Sequence, residues 1–316
     1  MKKNVILLVC FLCIIFSTAL GADFRFIVMG DIHGNLQETQ TILSRVTTLS
    51  PQPRFLFLVG DIIESGFLEY SDLTSTFRSL KSTLASFYPI SSYYPGIGNH
   101  ETDNTNPKSQ GEKAFHDIFT EFAVNDQLAN YNKTVYSVDY DNSRFIMLNS
   151  NHVGNSLNRL VDQEQRKWLV NQLTGKTHYF IFVHTPPFPT GSHVGSSLDQ
   201  NPADRDVFCQ ILDKANVTMI FSGHEHNYTR RHIDSALNPL YHNKIYQVIT
   251  GGSGANLKNV YRSKENVDVP PVAAHHFTVV DVSGNNVTVH AYKDDGTLID
   301  NFSVSRNSGT TTKSNQ

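Results

Sequence analysis

Ser-Gly-His-Glu-His at residues 222–226 directly follows the apolar run Val-Thr-Met-Ile-Phe at residues 217–221. The run is typical of a buried strand, so the two histidines fall on a glycine turn at a strand end. Two imidazoles one residue apart suit a metal ion, although an isolated pair of this kind is more often solvated or in the core. The pair becomes informative only if other strand ends carry similar ligands.

Four further apolar runs end in candidate ligands of the same kind. They are followed by Asp31 and His33 (run 24–29), Asp61 (run 54–59), Asn99 and His100 (run 93–97), and His184 (run 178–183). Apolar residues at helical spacing follow the first two loops, so the chain repeats a β-loop-α pattern. This pattern favours an α/β sheet with ligands at the carboxyl ends of its strands.

Apolar periodicity predicts the remaining elements. Helices are expected at 36–50, 68–87, 112–124, 162–173 and 203–214, with Asp162 as the N-cap of the fourth. The runs 135–140 and 145–149 predict a hairpin, and alternating residues predict antiparallel strands at 244–250, 275–282, 286–292 and 298–304. The sequence contains no internal repeat and no linker that would clearly divide two domains.

Composition limits the class of protein. Of the 316 residues, 39% are hydrophobic and 17% are charged, which are values of globular chains that bury a sizeable core. The formal net charge of -3 disfavours a nucleic-acid partner, because such partners usually need a basic face. We therefore expect no nucleic-acid-binding surface.

The N-terminus has the order of a secretory signal peptide. Lys2 and Lys3 precede the apolar run 5–16, and mostly small residues follow up to residue 22. The run is short for a membrane span, so an uncleaved anchor is the less favoured alternative. We expect a signal peptide at 1–22, one domain at 23–305 and a disordered tail at 306–316. Secretion, or delivery to a lysosome-like lumen, follows from this interpretation.

Two further patterns belong to a secreted chain. Cys10 and Cys13 lie in the leader, so Cys209 is left without an internal partner, and core packing and metals are expected to stabilise the fold. Five glycosylation sequons predict a glycoprotein, and the two that flank the histidine pair are the least expected to be used. The sequons begin at Asn132, Asn216, Asn227, Asn286 and Asn301.

The five motifs in chain order are D-x-H at 31–33, G-D at 60–61, G-N-H-E at 98–101, H at 184 and G-H-x-H at 223–226. Together they resemble the calcineurin-like metallophosphoesterase superfamily, over about residues 24–304. The third and fifth motifs look like those of purple acid phosphatases and secreted sphingomyelinase-like phosphodiesterases. The resemblance implies a four-layer α-β-β-α sandwich of two mixed sheets flanked by helices, with a dinuclear metal site at the loop end.

The resemblance also implies the metal ligands. One ion would be bound by Asp31, His33 and His226, the other by Asn99, His184 and His224, and Asp61 would bridge both. Imidazole and carboxylate ligands suit Zn, Mn or Fe, as divalent or mixed-valence ions, better than Ca or Mg. Two such ions ~3.5–4 Å apart activate a bridging hydroxide for in-line attack on phosphorus. The positive charge of two divalent ions exceeds the negative charge of two aspartates and one hydroxide, so the site suits an anionic substrate.

The G-N-H-E motif contains two more candidates. His100 has no ligand role in the family and looks like the residue that contacts the phosphoryl group and protonates the leaving oxygen, which typically contributes ~10²–10⁴-fold. Packing or capping is the alternative for His100. Glu101 would either orient a ligand histidine or form a surface salt bridge, and the sequence does not separate these two roles.

One departure from the purple acid phosphatases is visible. Those enzymes carry a tyrosine ligand in a motif resembling G-D-x-x-Y, whereas Asp61 is followed here by Ile62, Ile63 and Glu64. His33 would supply a ligand instead. We therefore expect no purple colour and no obligate ferric ion.

Several other polar residues have simpler interpretations. Ser192 and His193, like His152, are expected in solvated loops rather than at the substrate. His275 and His276 are assigned to core or surface positions, and Arg230 and Arg231 to salt bridges. Residues 251–254, Gly-Gly-Ser-Gly, lack the lysine of a phosphate-binding P-loop and predict a tight turn near the metal site.

The sequence thus predicts a secreted metal-dependent hydrolase acting on a small phosphorylated substrate, without a stable membrane span after signal cleavage. A phosphomonoesterase is preferred, on the likeness of residues 223–228 to acid phosphatases, and a sphingomyelinase-like or nucleotide-type phosphodiesterase is the alternative. A non-catalytic metal-binding recognition protein is the alternative of another class, and the complete ligand set argues against it. Oligomeric state is left open.

Overall fold

The computed structural model describes residues 23–64, 69–103, 107, 109–155 and 159–306. The predicted signal peptide, with Cys10 and Cys13, and residues 307–316 of the predicted tail lie outside the described residues. The α-helices are α1 Leu36–Val46, α2 Tyr70–Ala85, α3 Ser109–Ile118, α4 Gln163–Gln172 and α5 Pro202–Lys214. The first seven strands are β1 Phe24–Met29, β2 Phe55–Leu58, β3 Tyr93–Pro95, β4 Asp126–Gln127, β5 Tyr136–Tyr140, β6 Ser143–Leu148 and β7 His178–Val183. The others are β8 Met219–Ser222, β9 Tyr228–Ile233, β10 Ile245–Thr250, β11 Val267–Val272, β12 His276–Ser283, β13 Asn286–Lys293 and β14 Leu298–Ser305.

The strands form two mixed sheets. One has six strands in the order β14-β13-β12-β1-β2-β3, in which β1, β2 and β3 are parallel and β12 runs antiparallel to β1. The other has eight strands in the order β11-β9-β10-β8-β7-β6-β5-β4, in which β6, β7, β8 and β10 are parallel. The parallel strands therefore place their carboxyl ends, and the loops that follow them, along one edge of each sheet.

The two sheets pack face to face through aromatic side chains. Phe26 of β1 meets Phe145 with ring centroids 5.1 Å apart, and Phe57 of β2 stacks on Phe182 at 4.5 Å. Side chains alternate along β7, so Phe182 joins this shared core whereas Ile181 joins a second core on the opposite face. Because both of its faces are covered, β7 is buried at every position.

Helices cover the two outer faces. Residues of α4 and α5 pack in the second core, and residues of α1, α2 and α3 pack with the six-stranded sheet. Asn35 caps α1 by accepting a hydrogen bond from the Glu38 N–H at 3.2 Å, and Asp162 caps α4 as the sequence predicts. The predicted four-layer sandwich of two mixed sheets is confirmed.

Several elements differ from the sequence prediction, and α1 and α2 are shorter than predicted. The third helix ends at Ile118 rather than at residue 124, because Phe122 turns away to pack on Tyr136, with ring centroids 5.0 Å apart. Strands β4, β9 and β11 were not predicted. β11 contains two prolines, which cannot donate ladder hydrogen bonds, and it lies at the sheet edge where this is tolerated.

Candidate metal centre

The candidate ligands lie on loops with an unusual backbone conformation. Five of them have φ in the left-handed region, at 57° (Asp31), 51° (His33), 49° (Asp61), 72° (His224) and 51° (His226). This region is disfavoured for residues that carry a Cβ, at a cost of order 1–3 kcal/mol, and such residues concentrate at functional sites. The fold maintains this conformation at the residues whose side chains must converge.

Hydrogen bonds between loops hold this backbone in place. The Asp31 N–H donates to the Gly60 carbonyl and the His33 N–H to the Asp61 carbonyl, each at 3.1 Å, so the first two loops run side by side. The His224 N–H donates to both carboxylate oxygens of Asp31, at 2.9 and 3.0 Å. The strand ends of both sheets are thereby joined at one place.

Two glycines make this close approach possible. A Cβ at Gly223 would lie 2.1 Å from Oδ2 of Asp31, and one at Gly251 would lie 2.7 Å from the same atom. Neither space admits a side chain. The position of Gly251 also puts the predicted glycine-rich turn beside the candidate ligands.

The side chains converge into two buried clusters. Asp31, His33, Asp61 and His226 form one, and Asp61, His184 and His224 form the other, with the potential ligand atoms of each cluster within 4.8 Å of one another. Asn99 adjoins the second cluster, since its Oδ1 lies 3.1 Å from Nε2 of His184. The structure thus brings together all seven residues predicted as ligands, and Asp61 belongs to both clusters.

The donor set fits metal ions. Nε2 of His33 and Oδ2 of Asp61 are buried without a hydrogen-bond partner, although Nε2 of His184 lies 3.1 Å from that oxygen. Buried polar atoms are nearly always satisfied, and a buried carboxylate needs a compensating charge. Cations held between the two clusters would satisfy these atoms.

A model of the calcineurin-like phosphoesterase family matches residues 24–228, which is more than half of the chain. The chain belongs to this family. A search of curated protein sequences gave no match. The family uses two metal ions, and the chain has two buried clusters of aspartate and histidine side chains. Asp61 is the residue that these two clusters have in common.

Solved structures share the fold. A purple acid phosphatase from yellow lupin (Lupinus luteus) seeds is 20% identical, with a TM-score of 0.69 over 90% of this chain and 54% of its own. GAP50, described as the anchor in the inner membrane complex of Plasmodium, is 14% identical, with a TM-score of 0.64 over 92% of this chain and 90% of its own. PhoD is 13% identical, with a TM-score of 0.62 over 92% of this chain and 74% of its own. The phosphoesterase spans about half the length of the lupin protein, and these identities show the fold alone.

The imidazoles of the phosphoesterase are oriented by backbone carbonyls. Nδ1 of His184 lies 2.9 Å from the Val59 carbonyl oxygen, and Nδ1 of His226 lies 3.0 Å from that of Asn256. Each ring therefore turns Nε2 towards its cluster. Hydrogen bonds of this kind fix the tautomer of a metal-binding histidine.

The electrostatics of the clusters couple Asp61 to His184. Burial alone would raise the pKa of Asp61, but the His184 imidazole holds it well below its ordinary range. Burial would lower the pKa of His184, yet the Asp61 carboxylate raises it to about 9. Without bound cations, a proton on His184 therefore supplies positive charge that a metal ion would otherwise bring. Burial raises the pKa of Asp31 to about 6.

His100 faces both clusters from the side. Its Nε2 lies 3.7 Å from Oδ2 of Asp61, and its ring centroid is 4.2 Å from that of His33. The backbone N–H of His100 donates to Oδ1 of Asp61 at 2.9 Å, which ties the backbone of His100 to this carboxylate. Burial lowers the pKa of His100.

Glu101 plays neither of the roles considered from the sequence. It is fully buried, and its carboxylate accepts hydrogen bonds from backbone N–H groups rather than from a histidine or a surface cation. The four donors are the N–H groups of Asp61, Ile62, Ile63 and Gly98, at 2.7 to 3.1 Å. Glu101 therefore ties the second and third ligand loops together. Burial raises its pKa to about 7.

The expectation of a solvated His193 is wrong. Its ring centroid lies 4.0 Å from that of His224, and its Nε2 is 2.9 Å from Nζ of Lys258. Glu225, between the two ligand histidines, accepts the His193 N–H at 3.2 Å and holds this loop against the site. No local signal in the sequence distinguishes His193, because the loops that bring it inward are distant along the chain.

The other residues singled out in the sequence lie elsewhere. His152 is half-buried, and its Nδ1 lies 2.9 Å from Glu112, so a solvated loop is wrong for it too. Arg230 forms the predicted type of salt bridge, with Asp300 and Asp268. His276 is buried in the core, as expected.

Proposed function

We propose that this phosphoesterase is a phosphomonoesterase with His100 as general acid. Asp31, His33 and His226 would hold one metal ion, Asn99, His184 and His224 would hold the other, and Asp61 would bridge both. The observation that carries the proposal is the presence of Asp61 in both buried clusters, with His100 beside it. Zn, Mn or Fe would suit these ligands.

The residues of the chain perform distinct tasks in this proposal. When bound, two metal ions activate water and neutralise charge on the phosphoryl group. His184 and His226 are held by backbone carbonyls and would present Nε2 to the ions. His100 would donate a proton from Nε2, the nitrogen nearest Asp61, to the leaving oxygen. Because the clusters are buried, little water competes with these contacts.

A substrate panel tests the function. We expect metal-loaded protein, with its content established by elemental analysis, to hydrolyse an aryl phosphate faster than a bis-aryl phosphate diester. Faster turnover of the diester would replace the proposal with a phosphodiesterase. Absence of any turnover with Mn, Zn or Fe supplied would favour a non-catalytic metal-binding protein.

The substitution His100→Ala tests the general acid. We expect kcat to fall by ~10²–10⁴-fold for an alkyl phosphate, whose leaving oxygen must be protonated, and by less for a nitrophenyl phosphate. Elemental analysis should show that both metal ions are retained. An equal loss on both substrates would contradict the acid role and leave a positioning role.

The cellular setting is part of the same proposal. We infer that the phosphoesterase is a glycoprotein with one catalytic domain at 23–305, delivered to the secretory pathway by a cleaved leader. Among the described residues, no helix has both the length and the apolar character needed to cross a membrane. Asn227 is buried, in keeping with the expectation that its sequon is unused.

A further inference from the structure

Lys258 is fixed beside the metal centre by its own backbone. Its N–H donates to the His226 carbonyl at 3.0 Å, and its carbonyl accepts from Nδ2 of Asn227 at 3.3 Å. The residue belongs to the loop that follows β10, which otherwise contributes the carbonyl of Asn256 to the orientation of His226. These contacts place the backbone of Lys258, from which its side chain extends, next to His226, a proposed metal ligand.

The side chain of Lys258 points back over the site. Nζ lies 2.9 Å from Nε2 of His193, and the His193 ring packs on the ring of His224, with centroids 4.0 Å apart. The contact requires an ammonium donor and a neutral imidazole acceptor. Two of the three ammonium hydrogens therefore stay available for a further acceptor, one imidazole away from a proposed metal ligand.

Arg159, another cation near His193, differs from Lys258 in having a carboxylate partner. Arg159 donates to Oδ2 of Asp103 and to Oδ1 of Asn151, each at 2.7 Å, so its charge is compensated by a carboxylate. Among the described residues, no carboxylate oxygen lies within 4 Å of Nζ of Lys258. Glu225 interacts with Lys258 only through space, and its Oε1 accepts the backbone N–H of His193 at 3.2 Å.

We infer that Lys258 binds a terminal oxygen of the substrate phosphoryl group and makes the site prefer dianionic phosphate monoesters to monoanionic diesters. The inference rests on the proposed hydrolytic function and assigns its substrate class. A monoester phosphate carries one more negative charge than a diester, and an ammonium donor at a partly buried site favours the additional charge. The half-buried position of Lys258 keeps this charge effective.

The substitution Lys258→Gln tests the inference, with Lys264→Gln as the control. Lys264 is an exposed lysine of the same loop region, so its substitution makes the same change of charge away from the site. We expect Lys258→Gln to lower kcat/KM by about 10- to 100-fold for an aryl phosphate and by less than about 3-fold for a bis-aryl diester. Lys258→Arg should keep most of the monoester activity, and Lys264→Gln should match the parent on both substrates.

Binding of inorganic phosphate gives a readout that does not depend on turnover. Calorimetric titration of metal-loaded protein should show a dissociation constant about tenfold higher for Lys258→Gln than for the parent, with equal metal content. Unchanged phosphate binding and an equal loss on both esters would overturn the inference. A parent that binds phosphate through Lys258 but hydrolyses neither ester would overturn the hydrolytic proposal while leaving Lys258 as an anion contact.

Discussion

Two fully buried carboxylates, Asp61 and Glu112, have opposite surroundings. Oδ2 of Asp61 has no hydrogen-bond partner. Oε1 of Glu112 accepts hydrogen bonds from the amide of Asn149 and the N–H of Val153, and Nδ1 of His152 lies 2.9 Å away. Around Asp61, part of the negative charge is left for a bound cation to compensate. Around Glu112, hydrogen-bond donors of the chain compensate the carboxylate.

The contrast indicates which acids are functional. Burying a carboxylate is costly unless hydrogen bonds or a positive charge compensate it. Glu112 and Glu101 obtain that compensation from the chain and therefore act as structural ties. Asp61 obtains only part of it, from protonated histidine, and so is suited to bind cations. The sequence left Glu101 between orienting a ligand histidine and forming a surface salt bridge, whereas its hydrogen bonds to backbone N–H groups show a third role.

The substitution Asp61→Asn should have the largest effect on this contrast. It removes the charge that both clusters share, so we expect loss of both metal ions and a fall in kcat well beyond the ~10–100-fold typical of residues that only support a ligand. Elemental analysis and turnover of an aryl phosphate measure the two effects. Asp281→Asn, which breaks a half-exposed ion pair with Arg25, is the control and should retain both ions. Retention of both ions by Asp61→Asn would refute the bridging role.

The substitution Glu101→Gln should act mainly on stability. The variant keeps one acceptor oxygen but places an amide donor against backbone N–H groups, so we expect the free energy of unfolding to fall by about 2–4 kcal/mol. Chemical denaturation with metal in excess measures the change. Glu121→Gln removes an exposed ion pair with Lys81 and should cost at most about 1 kcal/mol. A Glu101→Gln midpoint equal to the parent's would mean that the loops do not depend on this tie.

The sequence predicted the fold and the convergence of the candidate ligand side chains because both depend on local signals. Apolar runs mark buried strands, and the parallel arrangement brings the residues after Met29, Val183 and Phe221 to one end of the sandwich. The family resemblance then supplied the pairing of residues with metals. Both sources of information are contained in short stretches of sequence.

The remaining features depend on contacts between distant stretches. His193 reaches His224 because Glu225 accepts its N–H, and Lys258 reaches His193 from a third loop. The end of α3 is likewise set by the packing of Phe122 on Tyr136. Nothing in the local pattern of these residues encodes such partners, so composition and spacing favoured solvated loops and a longer helix.

The smallest expected effect on stability concerns the pair of Glu112 and His152, and it tests how the buried carboxylate of Glu112 is compensated. Burial lowers the pKa of His152, but Glu112 more than offsets this and raises it above 6.5. The folded protein therefore holds the proton more tightly than the unfolded chain, and the stabilisation is complete below pH 6.5 and lost as pH rises through the raised value. In that window, we expect the free energy of unfolding to fall more steeply with rising pH in the parent than in His152→Gln. The additional fall in the parent should be about 1 kcal/mol or less. Denaturation with metal in excess measures the difference, and His116→Gln, at an exposed histidine, should keep the parent's slope. If the free energy of unfolding has the same pH dependence in the parent and in His152→Gln, neutral hydrogen-bond donors alone compensate Glu112. Its contrast with Asp61 would then rest on hydrogen bonds without a compensating charge.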